Sequence, residues 1–436
     1  MEIAYLRKIY FTGISCLLLF NAALVFPESD QPSEAKATPV GVGSSIEGKA
    51  TQFGGPSSVG GTLDTDKQAE GAVTYGEEQT RDYFSYKQKI QKDYGLAFGF
   101  DYNALYQAST DSLGEDDAAS GALRIFGHWT LVNRDADDKG MVVFKVEHRH
   151  RIGTDIAPQD LGFETGYIGV TAVPFSDMGW ALTNLYWYQH FLENRVAFVA
   201  GVVDCTDYLD VYGLVNPWTT FANLAFSTSP TIPAPNQGLG AAMSLLTTEN
   251  LYILGGLADA NGDPTDPGEL FDSFFDDAEY FSHVEIGWIF SYEKRFSDNI
   301  HLTVWHADER DHANVSDGWG AAFSLSRLMA DRWEPFFRAG YAHDGGALWK
   351  RSISIGTGYY TRKKNDLIGL GLNWGRPSED TLGPGLGDQY TMEVFYRFQL
   401  LKSLTITPDV QFLFDPSSNP DEDLITIWGL RARLAF

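Results

Sequence analysis

Charged residues recur at every second position in several segments of this 436-residue chain. Successive side chains of a β-strand point to opposite faces, so charges spaced in this way share one face of a strand. Such a row can bind a solute by hydrogen bonds and ion pairs, or it can form a wall of internal salt bridges. The candidates for solute contact are Lys145, Glu147, Arg149, Glu393, Arg397, Asp409, Arg431 and Arg433. Asp101 and Arg338 form a second, weaker set.

No known catalytic pattern accompanies these charges. The sequence contains no Gly-x-Ser-x-Gly elbow, no His-Glu-x-x-His motif and no P-loop, so it predicts neither an enzyme nor a cofactor. The acidic segment 259–269 resembles a calcium loop, but Pro264 stands where an EF-hand needs glycine. A solvated acidic loop is the expectation there, and the pair His148 and His150 is not assigned a metal. The formal charge of -26 excludes nucleic acid as a partner.

The last stretch, 424–436, indicates the kind of strand that carries the charged rows. Its alternate residues from Leu424 to Phe436 are mostly apolar, while the opposite face carries Arg431 and Arg433. A transmembrane barrel places such an apolar face on lipid and the polar face on a lumen. The stretches 94–106, 141–151 and 389–414 repeat this pattern, and sixteen such segments can be counted, one of them at 281–295. The sequence therefore predicts an all-β, antiparallel transmembrane barrel of about sixteen strands.

Three regions precede or make up this barrel. Residues 1–26 combine Arg7 and Lys8 with an apolar run, which predicts a removable signal peptide. The Gly-, Ser- and acid-rich segment 27–80 is expected to lack structure. The barrel domain is placed at 81–436, and it opens with a short amphipathic helix over 81–93 that either lies on the surface or plugs one mouth of the barrel.

The segment from Gly201 to Phe226, GVVDCTDYLDVYGLVNPWTTFANLAF, carries a resemblance. It ends a strand with a Gly-x-x-Asp stretch, continues through an Asn- and Phe-rich segment, and leads into a Pro-rich loop. In these features, and in the lead-in helix and terminal Phe436, the chain resembles the carbohydrate-selective porins of Gram-negative bacteria, the OprB type. The likeness covers about 83–436, and the acidic stretch before it departs from the family.

The resemblance implies an outer-membrane porin through which small carbohydrates diffuse. Its pore would be narrow and lined by charged and aromatic residues, because hydroxyls pair with charged groups and sugar rings stack on aromatic faces. Candidates for stacking are Trp187, Trp218 and Trp305, whose alternative role is anchoring at a membrane interface. Expected partners are small sugars, outer-membrane lipid and the barrel assembly machinery, and a homotrimer is left open. A general or ion-selective porin, a barrel enzyme and a soluble secreted protein are the rival interpretations.

Overall fold

Residues 53–75, 77–362 and 365–436 are described by a computed structural model, and they contain sixteen strands. The strands are β1 (Leu96–Ser109), β2 (Asp117–Val132), β3 (Gly140–Arg151), β4 (Gly179–Phe191), β5 (Val196–Val203), β6 (Gly238–Leu246), β7 (Leu251–Asp259), β8 (Tyr280–Ile289), β9 (Asn299–Ala307), β10 (Gly318–Ser326), β11 (Trp333–Asp344), β12 (Trp349–Thr361), β13 (Asp366–Pro377), β14 (Gln389–Leu401), β15 (Leu404–Phe414) and β16 (Leu424–Ala435). Each strand pairs antiparallel with its neighbours in sequence, and β16 pairs with β1 to close the barrel. The predicted fold class and strand number are confirmed.

The two rims of the barrel differ in the length of their connections. Tight connections such as 192–195 and 402–403 lie on one edge, which we call the short-turn rim. In the first of these, Leu192, Glu193 and Asn194 all adopt positive φ, the left-handed geometry of a tight reversal. The opposite edge, the long-loop rim, carries the connections 152–178, 204–237 and 260–279.

Side chains alternate between the outer and inner surfaces as the sequence predicts. On β16, Trp428 and Leu430 are 51% and 55% exposed on the outside, whereas Arg431 and Arg433 are buried inside. The same alternation places Tyr102 outside and Asp101 inside on β1. An apolar outer band around a polar interior is the arrangement of a barrel whose exterior faces lipid.

Two of the described helices precede the first strand, and four short ones lie in connections between strands. They are α1 (Val59–Gln68), α2 (Glu77–Tyr94), α3 (Pro158–Glu164), α4 (Leu224–Ser227), α5 (Leu270–Asp272) and α6 (Glu379–Leu382), with 3₁₀ turns at Cys205–Asp207 and Tyr292–Lys294 and a π turn at Ser273–Asp277. None of the described helices has both the length and the apolar character needed to cross a membrane. The predicted helix over 81–93 corresponds to α2, and Gly95 follows it at a φ of +76°. Its Tyr83 ring contacts the outward-facing Phe100, so this part of α2 lies on the outer surface, while residues 91–93 of its last turn line a cavity at the short-turn rim.

The expectation that 27–80 lacks structure does not hold for the part that is described. Helix α1 is capped by Ser58, whose hydroxyl accepts a hydrogen bond from the Gly61 amide, and it lies inside the barrel near the short-turn rim. Val59 packs there against the inward-facing Phe126 and Met141. Composition suggested disorder because the segment has too few apolar residues for a core of its own, yet these few complete a core that the barrel supplies. Residues 1–52, including the predicted signal peptide, lie outside the described part.

The connection 204–237, which we call the inner loop, folds back into the barrel. Its Tyr212, Phe221 and Phe226 are fully buried. They pack with the 152–178 connection against inward-facing residues of β11 to β16: Phe336, Trp349, Leu367, Phe395, Leu413, Ile425 and Ile427. Burying each large apolar side chain contributes about 1.5–3 kcal/mol. The charged inner face predicted to line water is therefore covered in part by the inner loop.

The strand predicted at 281–295 is too long. β8 ends at Ile289, and residues 290–298 form a connection that contains the 3₁₀ turn Tyr292–Lys294. The Asp298 carbonyl accepts the Phe290 amide across this connection, and the Lys294 carbonyl accepts the Ser297 amide. The aromatic residues here, Phe290 and Tyr292, had extended the alternation beyond the true end of the strand.

Replacing Phe221 tests whether packing holds the inner loop in the barrel. Its ring lies 4.9 Å from Phe395 and 5.0 Å from Phe226 between centroids. We expect Phe221→Ala to lower the local stability of the inner loop by about 3–5 kcal/mol, because a buried aromatic side chain is removed. Hydrogen exchange of the amides in 204–237 measures this change. The exposed Phe275 provides the control Phe275→Ala, and equal exchange in the two variants would contradict the expectation.

Candidate functional site

The inner loop packs against β11 to β16 on one side, as described above, and contacts the wall of β1 to β3 on the other. On β1 to β3 the inward residues at mid-strand are polar, among them Asp101, Asn103, Arg124 and Glu147, and we call this surface the polar wall. Its side chains offer hydrogen-bond donors and acceptors to a solute with hydroxyl groups. The candidate site is therefore the contact between the polar wall and the inner loop.

Asp101 is the centre of the ionic network on this wall. Its carboxylate accepts hydrogen bonds from Arg124 at 2.8 and 2.5 Å and from Arg433 Nε at 2.7 Å. Arg433 also donates to both oxygens of Asp66 in α1, at 2.6 and 2.8 Å. One carboxylate thus joins β1, β2 and β16 across the closing seam of the barrel, and Arg433 ties helix α1 to them. All but Asp66 are at most 6% exposed, so the pairing offsets a large desolvation cost.

Trp218 of the inner loop faces this network. The Arg124 guanidinium carbon lies 4.2 Å from the centre of the Trp218 ring, and that of Arg149 lies 5.6 Å away. The Trp218 ring also contacts Phe175 at 5.3 Å. Cations over an aromatic face are attracted by its quadrupole, by about 2 kcal/mol when desolvated. Both guanidiniums and the ring are held in fixed positions at the polar wall.

The position of Trp218 is set by hydrogen bonds to the loop backbone. Arg431 donates to the carbonyls of Pro217 and Thr220, the latter at 2.5 Å. The Asn216 side chain accepts the Trp218 amide at 3.2 Å. Arg431 was predicted to line the lumen, and it does face inward, but its hydrogen bonds go to the loop that presents Trp218.

Strand β3 carries a row of alternating charges toward the short-turn rim. Glu147 accepts from Arg149 Nε at 2.7 Å, and Lys145 Nζ lies 3.9 Å from Glu147. Lys145 Nζ is also 3.9 Å from Asp204 and 3.7 Å from Asp207 of the inner loop. Residues two apart on a strand are separated by about 6.6 Å. The three predicted residues of β3 therefore form one continuous polar row beside Trp218.

Among the predicted residues of β14 and β15, Glu393 binds the inner loop, and Asp409 is linked through Gln411 to the 152–178 connection. Glu393 accepts the backbone amides of Ala222 and Asn223 at 2.7 and 3.0 Å. Asp409 accepts from Gln411, whose amide group also donates to the Thr171 carbonyl. Arg397, farther along the inward face of β14, is opposite Leu367 in the strand register. These three residues lie away from β1 to β3, whereas Lys145, Glu147 and Arg149 lie on β3 and Arg433 binds Asp101 of β1.

Several residues of the interior were not predicted from sequence. Arg124 was detectable, because it occupies the inner face of a predicted strand among small residues. Asp210 was not, because the inner loop has no periodicity that reveals which side chains turn toward the wall. It accepts from Arg338 and from His301, the latter at 3.0 Å, and its amide donates to Glu285 at 2.8 Å. Arg338, in the second predicted set, is thus another anchor of the inner loop.

Some of the remaining aromatic and metal candidates lie inside the barrel, and others lie on its outer face. Trp305 is buried inside against Phe281, whereas Trp187 shares the outer face of β4 with the exposed Leu185. His148 and His150 lie on the outer face of β3, with their Nδ1 atoms 3.3 Å apart. In the acidic segment, Asp263 accepts the Thr265 amide and hydroxyl within a local turn. Within the described ranges no three His, Cys, Asp or Glu side chains are grouped to hold a metal.

Asp101→Asn is expected to weaken the closing seam of the barrel. Two buried guanidiniums then lose a carboxylate partner, which costs about 3–5 kcal/mol. The thermal midpoint of barrel unfolding should fall, as followed by the loss of the heat-resistant folded band on gels. Asp111→Asn, in the exposed connection 110–116, is the matched control. The same midpoint for both variants would contradict the assigned role of Asp101.

The barrel resembles solved porin structures. A structure titled as the high-pH form of Pseudomonas putida OprB aligns with a TM-score of 0.65 and 13% identity over 85% of this chain and 99% of that one. The low-pH form aligns with a TM-score of 0.49 and 10% identity over 85% and 100%. A mutant porin of Rh. blastica aligns with a TM-score of 0.48 and 12% identity over 78% and 100%. At these identities only the first likeness supports an argument, and it concerns the fold.

The search of curated proteins found no match. The family model described as carbohydrate-selective porin, OprB family, matches residues 138–436, which is more than half of the chain. These residues include β3 to β16 and the inner loop, and they belong to a channel family and not to an enzyme family. The chain belongs to the OprB family of carbohydrate-selective porins.

Proposed function

We propose that this chain lets small saccharides diffuse along the polar wall of β1 to β3, past Trp218. The observation that carries the proposal is the placement of one buried tryptophan against Arg124 and Arg149, beside the charged row of β3. Membership in a carbohydrate-selective family supports the substrate class. The proposed contact residues are Arg124, Glu147, Arg149 and Trp218.

The chemistry of the site suits a neutral polyol. A sugar ring has a weakly apolar face that packs on an aromatic ring, and its edge carries hydroxyls that both donate and accept. Arg149 donates hydrogen bonds, and Glu147 accepts them at the same height of the wall. A channel site must bind weakly enough to release its solute. The guanidinium groups already contact Trp218 and Glu147. A sugar must compete with these contacts, so its binding stays weak.

The membrane setting and the partners form part of the proposal. The exposed apolar residues on the outside, such as Leu430 and Trp428, support contact with outer-membrane lipid. Phe436 stacks on Phe100 at the end of the barrel and is the proposed residue read by the assembly machinery. Removal of a signal peptide within 1–26 and assembly as a homotrimer stay predictions.

Trp218→Leu tests the saccharide site. We expect the apparent affinity for glucose, measured from sugar-induced block of single-channel current, to fall about 5- to 10-fold, because a stacking face is lost. Ion conductance in the absence of sugar should be retained or increased. The control is Trp187→Leu on the outer face, which should leave the block unchanged. Strong ion selectivity in the wild type without discrimination among sugars would support the rival general porin.

Lys145→Met tests the charge balance of the β3 row. The change leaves Asp204 and Asp207 without the ammonium that lies within 4 Å of both. We expect a shift of the reversal potential toward cation selectivity in a KCl gradient, and a loss of about 3–5 kcal/mol of stability. Lys89→Met on the exposed face of α2 is the control. A reversal potential and thermal midpoint equal to those of the wild type would remove Lys145 from the pore.

A further inference from the structure

Residues 53–75, which we call the strap, follow the inner wall of the barrel at the short-turn rim. The Phe53 ring lies 5.9 Å from an aromatic ring of β4, and Val59 packs against inward-facing residues of β2 and β3. Farther along, Asp66 pairs with a guanidinium of β16, and the Glu70 amide donates to a side chain of the β12–β13 connection at 2.8 Å. In the closed strand order these contacts run from β4 through β1 and β16 to β13, which is half of the barrel. The strap therefore crosses the short-turn end of the polar wall.

The strap contacts the inner loop as well as the wall. The Pro56 carbonyl accepts a hydrogen bond from the Asn216 side chain at 2.9 Å. A Cβ added at Gly55 would lie 2.7 Å from the Val211 side chain, so the strap and the inner loop approach each other closely at this glycine. Only a few residues later, Val59 packs against β2 and β3. This part of the strap therefore lies between the inner loop and the polar wall.

A cavity of about 560 Å³ lies between the strap and the wall formed by β2 to β4. One of its lining residues, Asp207, is 3.7 Å from Lys145 of the charged row on β3. Others, Arg134 and Lys139, belong to the β2–β3 connection at the short-turn rim. Cavities of about 300–1,000 Å³ hold a single small ligand. The cavity thus has the size of a small saccharide, it extends from the β3 row to the rim, and the strap forms one of its sides.

We infer that the strap sets the size limit of the pore at the short-turn rim, and that solutes leave through the cavity beside it. The residues that determine this limit are the two that fasten the strap. Asp66 accepts from Arg433 at 2.6 and 2.8 Å. A Cβ added at Gly71 would lie 2.7 Å from the Lys402 backbone nitrogen, so the strap touches the 402–403 turn where a side chain has no room. The inference rests on the proposed route along the polar wall.

The double variant Asp66→Ala/Gly71→Leu of the full chain tests the size limit. It removes the ion pair and places a side chain against the 402–403 turn, so the strap should leave the rim. Because a helix with its side chains is about 10–12 Å wide, displacement of α1 should widen the exit. In liposome-swelling measurements we expect the rates for maltotriose and maltopentaose, each relative to glucose, to rise several-fold. The control Asp82→Ala/Gly387→Leu makes the same changes at exposed positions outside the strap and should keep the wild-type ratios.

Two further measurements make the result decisive. Faster hydrogen exchange of the amides of α1 shows that the strap has moved, and the heat-resistant band on gels shows that the barrel is folded. Size ratios equal to those of the wild type would overturn the inference. An equal rise for all sugars would also overturn it, because the strap would then limit the flux without selecting by size. If the double variant does not fold, Asp66→Ala alone, which keeps the pair of Arg433 with Asp101, is judged by the same criteria.

Failure of this inference is distinguishable from failure of the proposed function. The size ratios report on the width of the exit, whereas the glucose block reports on the contact with Trp218. An unchanged block in Trp218→Leu would overturn the proposed saccharide site and would leave the size ratios of the strap variant as they are. Unchanged size ratios together with a weakened block in Trp218→Leu would overturn the role of the strap alone.

Discussion

The interior of this porin depends on the carboxylate of Asp101. It lies at the seam where the first strand meets the last, and it is bound by guanidiniums from β2 and β16. One of these, Arg124, continues to the Trp218 ring; the other, Arg433, continues to Asp66 of helix α1. Strand closure, the position of the inner loop and the placement of the N-terminal segment therefore share one buried anion. This buried carboxylate stabilises the fold only while it stays paired with both guanidiniums.

The inner loop occupies part of a wide barrel. Sixteen strands enclose a lumen that would be open to water if only the wall side chains filled it. Here the inner loop packs its aromatic residues against β11 to β16 and is held by Glu393, Arg338 and Arg431. In the proposed route the solute passes along the polar wall, and the side chains of that wall and Trp218 would determine selectivity.

The alternation of apolar and polar residues made the barrel predictable from sequence. It did not reveal how the inner loop and helix α1 fold inside the barrel. The alternation in β16 identified Arg431 and Arg433 as inward-facing because a strand permits two directions only. It could not show that Arg431 donates to Pro217, since that contact depends on how the aperiodic loop folds. Asp210 and Asp207 escaped notice for the same reason. Helix α1 was missed because its composition is that of a linker, and its apolar partners, Phe126 and Met141, are supplied by distant strands.

The most direct test of the account is a structure of the porin with a bound saccharide. Crystals or particles prepared with glucose at saturating concentration should show ring-shaped density against Trp218, with hydroxyls within hydrogen-bond distance of Arg149 and Glu147. Density against β11 to β16 in place of the polar wall, or an unoccupied Trp218 in a preparation whose current glucose blocks, would contradict the claim that the sugar passes along the polar wall.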